Sequence, residues 1–395
     1  MRNFSQDERK IELADWVSQQ LSGLQSAGVF SSLSDVTAES FEAVSGDASF
    51  RRYFRLKLEG GCANATSDLV PRQNQINSLI AVDSPPEHED NESFVRIDGL
   101  LMKAGVRVPA VFANSFDKGF LLLEDFGNST LLPLLELAKY EGRAEFTDCM
   151  YADAIRSILL LQKGVACSQL PVFDRDQLLE EMELFSQWFC EGLLDLKLIE
   201  QEREIIQKAF LFLADSIDAQ PKIAVHRDFH SRNLLHLEAT EKDAINKLGV
   251  IDFQDAVSGP YTYDAVSLLR DCYLRWPTND QARWALLYFE GAQSGQGGKV
   301  LADQLNGKSS LEFLNDFDLC GLQRHLKVMG IFSRLFLRDQ KSTYLDNLPL
   351  TIRYFLEVSK DYSPLNNFSS WFSEKILPRA ETRLKFSASE FIDGD

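Results

Sequence analysis

The spacing of apolar residues changes along this chain, and that change narrows the folds open to it. Near the N terminus Ile11, Leu13, Trp16, Val17, Leu21 and Leu24 recur at three- and four-residue steps, the mark of a helix with one apolar face. From Phe41 the period falls to two. Phe50, Arg52, Phe54, Leu56 and Leu58 share one side of an expected strand, and Arg51, Tyr53, Arg55 and Lys57 the other. Gly60-Gly61 reads as a turn, and Ser78-Leu79-Ile80-Ala81-Val82 as a buried strand closed by Asp83-Ser84-Pro85-Pro86. A helix carrying Phe94, Ile97, Leu100, Leu101 and Ala104 should end at Gly105. Val108-Pro109-Ala110-Val111-Phe112 and Phe120-Leu121-Leu122-Leu123 read as two more strands. Beyond Gly127 the pattern is helical to the end, except from Ile223 to Ile251, where short strands bracket polar loops. The expectation is an α+β chain with a small strand-rich lobe over 1–124 and a larger helical lobe over 125–395, sharing a cleft.

Composition excludes several classes. Of 395 residues, 45% are apolar and 11% aromatic, ample for packed cores, so disorder and fibrous structure are ruled out. The formal charge of −18 repels a phosphate backbone, and the densest basic run, Arg51-Arg52-Tyr53-Phe54-Arg55-Leu56-Lys57, is short and broken by apolar residues; a nucleic-acid partner is not expected. Cys62, Cys149, Cys167, Cys190, Cys272 and Cys320 never form a C-x-x-C pair, which argues for isolated thiols in a reducing compartment. Asp7, Glu8, Glu12 and Asp15 interrupt any signal-peptide pattern, and no apolar run is long enough to span a bilayer. The expectation is a cytoplasmic protein with no membrane partner.

The chemistry is concentrated in Val225-His226-Arg227-Asp228-Phe229-His230-Ser231-Arg232-Asn233-Leu234-Leu235. Its Asp and Asn have the H-R-D-x-x-x-x-N spacing of a phosphotransferase catalytic loop, between apolar flanks that read as strands. Gly249-Val250-Ile251-Asp252-Phe253 then delivers a second carboxylate from the end of another strand. Phosphoryl transfer needs positioning and charge neutralisation more than covalent help. Asp228 would accept or orient the proton of an attacking hydroxyl. Asn233 and Asp252 would offer magnesium the hard oxygen ligands it prefers. Taken singly, an Asp or Asn in a turn more often serves the backbone; the spacing, flanks and downstream carboxylate together favour chemistry. His230 would either face substrate or hold the loop by hydrogen bonds. A rival phosphate motif, Ala302-Asp303-Gln304-Leu305-Asn306-Gly307-Lys308-Ser309, lacks the first glycine and a preceding strand, and reads as a surface loop.

At these residues the sequence resembles the aminoglycoside phosphotransferase/choline kinase branch of the protein-kinase-like fold, and within it the bacterial cell-wall sugar kinases that phosphorylate the anomeric hydroxyl of N-acetylmuramate and N-acetylglucosamine. The resemblance rests on Ser45-Gly46-Asp47-Ala48-Ser49-Phe50-Arg51-Arg52-Tyr53-Phe54-Arg55, Asp83-Ser84-Pro85-Pro86-Glu87, Phe120-Leu121-Leu122-Leu123-Glu124-Asp125-Phe126-Gly127, the catalytic segment, and Gly249 to Ala256 leading into Gly259-Pro260, Tyr263-Asp264 and Ser267-Leu268-Leu269-Arg270-Asp271. Lys327-Val328-Met329-Gly330-Ile331-Phe332 and Arg338-Asp339 complete it. It implies a small antiparallel-sheet N-lobe, a large mainly helical C-lobe, ATP and Mg2+ as cofactors, and a small-molecule acceptor, with an amino sugar favoured. It also implies that Ser45, Gly46 and Ser49 cover the phosphates and that the strand ending at Glu124, with Phe126, is the hinge meeting adenine.

One departure stands out. Most relatives carry a Lys on the third strand for the α- and β-phosphates, whereas here that strand has none and ends in Asp83. Arg52 is the expected substitute, by its place on the Phe54 and Leu56 face; a guanidinium lying on the sheet with its head in water is the plainer alternative. Asp255, Arg270 and Asp271 would line the acceptor pocket, Arg270 suiting an acceptor carboxylate, unless Asp264, Arg270 and Asp271 instead tie the helix to the catalytic loops. The competing functions are an aminoglycoside or choline-type kinase and a non-catalytic nucleotide-binding scaffold.

Overall fold

The structure, a computed structural model, describes residues 6–27, 29, 36–44, 50–62, 76–237 and 247–391. It divides into two compact units. The first comprises Met1–Ser129 and Leu235–Gln254, the second Thr130–Leu234 and Asp255–Asp395.

The first unit opens with helix α1 (Gln6–Ser26), followed by β1 (Phe41–Val44), β2 (Arg52–Cys62), β3 (Ile76–Asp83), α2 (Asn91–Ala104), β4 (Val111–Ser115) and β5 (Phe120–Glu124). The strands form one antiparallel sheet in the order β1-β2-β3-β5-β4. Alternation along β2 works as the sequence implies: Phe54 and Leu56 turn to the side where Leu13, Trp16, Val17 and Leu21 of α1 form a core with Leu79, Ala81, Phe120 and Leu122. Helix α2 starts where the Asp90 carboxylate accepts the Ser93 N–H (2.9 Å) and stops at Gly105, whose φ of 86° puts it in the left-handed region that glycine tolerates best. Two details depart from the sequence expectation. Gly60-Gly61 lies inside β2, at a register shift between Lys57 and Cys62, so the glycines accommodate an irregularity within a longer strand. The fourth strand begins at Val111 and not Val108, because Pro109 has no N–H to donate to a ladder.

The second unit contains α3 (Leu131–Tyr140), α4 (Ala144–Gly164), α5 (Arg175–Leu184), α6 (Glu200–Asp218), β6 (Lys222–Val225) and, later, β9 (Val257–Pro260), which pairs antiparallel with β6. Between these strands the chain forms β7 (Leu234–His236) and β8 (Leu248–Val250), a two-stranded ladder. The His236 N–H donates to Ser129 O (2.8 Å) and the Val250 N–H to Arg107 O (2.8 Å), tying this excursion to the first unit. Helices α7 (Tyr263–Leu269), α8 (Thr278–Gln293), α9 (Lys299–Gln304), α10 (Ser310–Asp339) and α11 (Leu348–Ser359) follow. The 302–309 stretch is therefore the end of α9 and a turn, preceded by helix, and it has no phosphate-loop geometry.

Helix α10 is the spine of the second unit. Ser309 caps it reciprocally with Glu312: the Ser309 hydroxyl accepts the Glu312 N–H (3.3 Å) and the Glu312 carboxylate accepts the Ser309 N–H (2.8 Å). Phe313, Phe317, Leu322, Leu326 and Met329 are buried along it, but so are Gln323, Arg324 and Lys327. A polar stripe buried mid-helix requires partners, and its partners define the site.

Candidate functional site

The 226–233 segment follows β6 as a loop fastened by carboxylates. Asp264, fully buried in the first turn of α7, accepts the backbone N–H groups of His226 (2.7 Å) and Arg227 (3.0 Å). Asp271, also buried, accepts the Ser231 N–H (3.1 Å) and its hydroxyl, and the Tyr273 N–H (3.1 Å). Within the loop, Asn233 Nδ2 donates to the Asp228 carbonyl (3.0 Å), the His230 N–H donates to the same carbonyl (3.1 Å), and the Asn233 N–H to His230 O (2.9 Å). The side-chain bond commits the Asn233 nitrogen and identifies Oδ1 as the atom suited to a hard cation.

Arg227 has a φ of 80°, a left-handed conformation costly for a side chain of that size. Glu181 of α5 holds it: the buried carboxylate accepts from Arg227, pairs with Lys327 Nζ (3.0 Å), and takes hydrogen bonds from Tyr263 Oη (3.4 Å) and Gln323 Nε2 (3.1 Å). Burial alone would raise the Glu181 pKa; Lys327 and Arg227 outweigh it and keep the group ionised. Asp228 is treated alike. Burial pushes its pKa up, but Lys327, Arg324, His230 and His226 together hold it at about 2. The half-buried Asp228 carboxylate is thus an anion in a pocket of positive charge.

Arg324 is the member of this group that sequence reasoning missed. It is 4% exposed and lies within electrostatic range of Asp228, Asp271, Cys272 and Tyr263. Glu181 was missed as well, being 46 positions from the Arg227 it pairs with. Of the acceptor candidates, Arg270 is engaged by Asp318 of α10 and lies over the Phe317 ring (4.7 Å). Asp264 and Asp271 tie α7 and the residues after it to the loop, whereas Arg270 does not. His230 meets the Tyr273 ring edge-on (5.4 Å), and Asp255 is exposed at the start of the last stretch of this unit.

Asp252 belongs to the first unit, exposed, with a φ of 63° and an Oδ1 that accepts from Gln254 Nε2 (3.0 Å). Its neighbour Phe253 is buried against Phe94 of α2 (5.0 Å). Among the described residues no group of three or more His, Cys, Asp or Glu is arranged to hold a metal; magnesium usually takes only one or two protein oxygens, and a carboxylate and an amide oxygen suit it.

At the end of β5 the Glu124 side chain pairs with Arg107 (Nη1 to Oε2, 2.8 Å) and accepts the Ala110 N–H (3.2 Å). Asp125 receives Arg55 Nη2 (2.8 Å), Ser78 Oγ (2.6 Å) and the Gly127 N–H (2.8 Å). Phe126 lies under the Arg107 guanidinium (4.6 Å) and against Gly249, where a Cβ would come within 2.5 Å of its ring. Only glycine permits that approach. Ser45, Gly46 and Ser49 fall outside the described residues. Arg52 does share the Phe54 face, but that is the face covered by α1, and its guanidinium binds Asp83 (Nε to Oδ2, 3.0 Å) opposite Arg9 (Nε to Oδ1, 2.8 Å).

Comparison with known proteins identifies the family. Residues 40–302 match the phosphotransferase enzyme family. The chain belongs to that family. It is 37% identical over 352 residues to an N-acetylmuramate/N-acetylglucosamine kinase of Pseudomonas putida, covering 89% of this chain and 92% of the relative, and 34% identical to a protein of the same name from Neisseria meningitidis, covering 81% and 85%. Among solved structures, a Plasmodium vivax ethanolamine kinase (TM-score 0.51, 10% identity, 80% of this chain and 82% of that one) and a choline/ethanolamine kinase family protein from Mesorhizobium loti (TM-score 0.51, 12% identity, 94% and 99%) share the fold. The protein is a small-molecule kinase with a protein-kinase-like α+β fold, and no described helix is long and apolar enough to cross a membrane.

Proposed function

We propose that the protein transfers the γ-phosphoryl group of ATP, with magnesium, to the anomeric hydroxyl of N-acetylmuramate or N-acetylglucosamine, in the cytoplasm. The names of its relatives support the acceptor, and one observation carries the chemistry: Asp228 stands ionised on a loop that two buried carboxylates fasten by its backbone. An anomeric hydroxyl is more acidic than an ordinary alcohol, because the ring oxygen withdraws electron density. A carboxylate of low basicity therefore suffices to orient it and take its proton as the bond to phosphorus forms. The oxygen attacks the γ-phosphorus, the bond to the bridging oxygen breaks, and ADP leaves. Asn233 and Asp252 are the proposed ligands of the magnesium, which would neutralise phosphate charge. Glu124 and Phe126 are the proposed adenine-side residues, Ser45, Gly46 and Ser49 the phosphate cover, and His230 and Asp255 contacts to the sugar. Arg270, engaged by Asp318, would need to release that partner to meet a carboxylate.

The test is ADP release over a panel of N-acetylmuramate, N-acetylglucosamine, kanamycin, choline and ethanolamine, with and without magnesium. Turnover with the amino sugars alone, lost on chelation, is expected. Turnover with choline or kanamycin only would replace the acceptor assignment, and nucleotide binding without turnover on any acceptor would favour a scaffold.

A further inference from the structure

The third strand has no cation to offer, and three arginines lie near its end. Asp83 is fully buried, and Arg9 and Arg52 both bind it on the α1-covered face of the sheet. Those guanidiniums neutralise a carboxylate of the fold itself. Arg51 is directed elsewhere. Its side chain, 4% exposed, pairs with Glu89 (Nη2 to Oε2, 3.1 Å) and donates from Nε to Ser84 Oγ (3.2 Å). Its guanidinium lies 5.4 Å from the centre of the Phe94 ring, and Phe94 in turn holds Phe253, the residue after Asp252.

We propose that Arg51, oriented by Glu89, is the cation that receives the nucleotide's α- and β-phosphates in place of the absent strand lysine. The inference rests on the kinase reading and names a residue for it. Glu89 sits in the turn before α2, so an ion pair links the start of β2 to the approach of that helix. The same carboxylate accepts the Phe50 N–H (3.1 Å), so it is fixed from the β2 side as well. Tyr53, on the Arg51 face, feels Arg51, Glu89 and Asp252 together, and burial pushes its phenol up to about 12. Arg51 thus shares an electrostatic neighbourhood with the carboxylate proposed for magnesium. A guanidinium presents five N–H groups in a planar fork, enough to hold a carboxylate and a phosphate oxygen at once.

The experiment measures binding of Mg-AMP-PNP and of adenosine by calorimetry, alongside turnover, for wild type, Arg51→Ala, Arg51→Lys, Glu89→Gln and Arg52→Ala. Arg51→Ala should weaken AMP-PNP at least about tenfold while adenosine affinity holds, because charge-assisted contacts reach only the phosphates. Arg51→Lys should recover part of the loss. Glu89→Gln should raise the KM for ATP and lower kcat. Wild-type AMP-PNP affinity in Arg51→Ala, equal loss of adenosine and AMP-PNP, or loss in Arg52→Ala alone would overturn the assignment. If Arg51→Ala does not fold, Arg51→Lys and Glu89→Gln decide it, unchanged AMP-PNP affinity in both being the contrary result. Failure of the kinase reading looks different: the wild type itself would neither bind AMP-PNP nor release ADP.

Discussion

Asp98 illustrates how a single side chain can record its surroundings. It is 3% exposed in α2, its Oδ1 has no hydrogen-bond partner, and burial, with the Glu124 charge second, raises its pKa from 3.8 to about 7. A carboxyl whose folded pKa exceeds its unfolded value favours folding most below the unfolded value. That advantage disappears as pH climbs from about 4 to about 7. Asp98→Asn should therefore stabilise the protein by about 2 kcal/mol at pH 8 and change little at pH 4, measured by urea denaturation at both; equal effects at the two pH values would contradict the cause given. Asp228 carries the opposite sign. Its pKa of about 2 lies below the ordinary 3.8, so its contribution to stability is complete above that ordinary value and fades as pH falls through 2. The role proposed for Asp228 was legible in the sequence because the chemistry demands a fixed local spacing. The Arg324 and Glu181 roles were not, since a charged residue on a helix carries no local sign that the fold will bury it. The expectation for Arg52 follows from taking the Phe54 face as the functional one. Alternation separates the two faces of a strand but cannot say which of them a helix covers.

At the scale of elements, packing explains residues that motif reading leaves as letters. Gly330 of α10 crosses the Leu184 backbone so closely that a Cβ would lie 2.3 Å from its carbonyl carbon. Gly330→Ala should cost about 3 kcal/mol, because neither backbone can yield. Gly99, in α2, has nothing within 4 Å of the same added atom, and Gly99→Ala should gain up to about 1 kcal/mol from helix propensity. Thermal denaturation of the two variants checks the contrast, and a similar shift in both would refute the close approach. Glu181→Gln should slow kcat about tenfold or more and lower the melting temperature, since Arg227 and Lys327 keep their burial but lose a charged partner. Unchanged kcat would show that the strained Arg227 backbone does not need this anchor. Helices α1 and α2 and strands β2 to β5 could be read in advance, whereas the helices beyond Gly127 were legible only as a class. The exceptions, the start of β4 and the glycines within β2, are places where proline chemistry or a register shift decides a boundary that periodicity leaves open.

For the whole molecule, the two units are not consecutive in sequence. The 235–254 stretch returns to the first unit, carrying Asp252, and is held there by Phe253 on Phe94, Phe126 on Gly249 and two backbone hydrogen bonds. A fragment ending at Ser129 should unfold at lower urea than the same fragment with 235–254 rejoined by a flexible linker; equal midpoints would mean the returning segment adds no stability. Bulk charge is equally uninformative about location, for a chain of net −18 gathers Lys327 and Arg324 around its proposed base. The most direct test of the central claim is single-turnover phosphoryl transfer from ATP to N-acetylmuramate by Asp228→Asn. A loss of at least about a thousandfold in rate, with AMP-PNP affinity and melting temperature close to wild type, is the predicted result. Transfer at the wild-type rate in that variant would contradict the account.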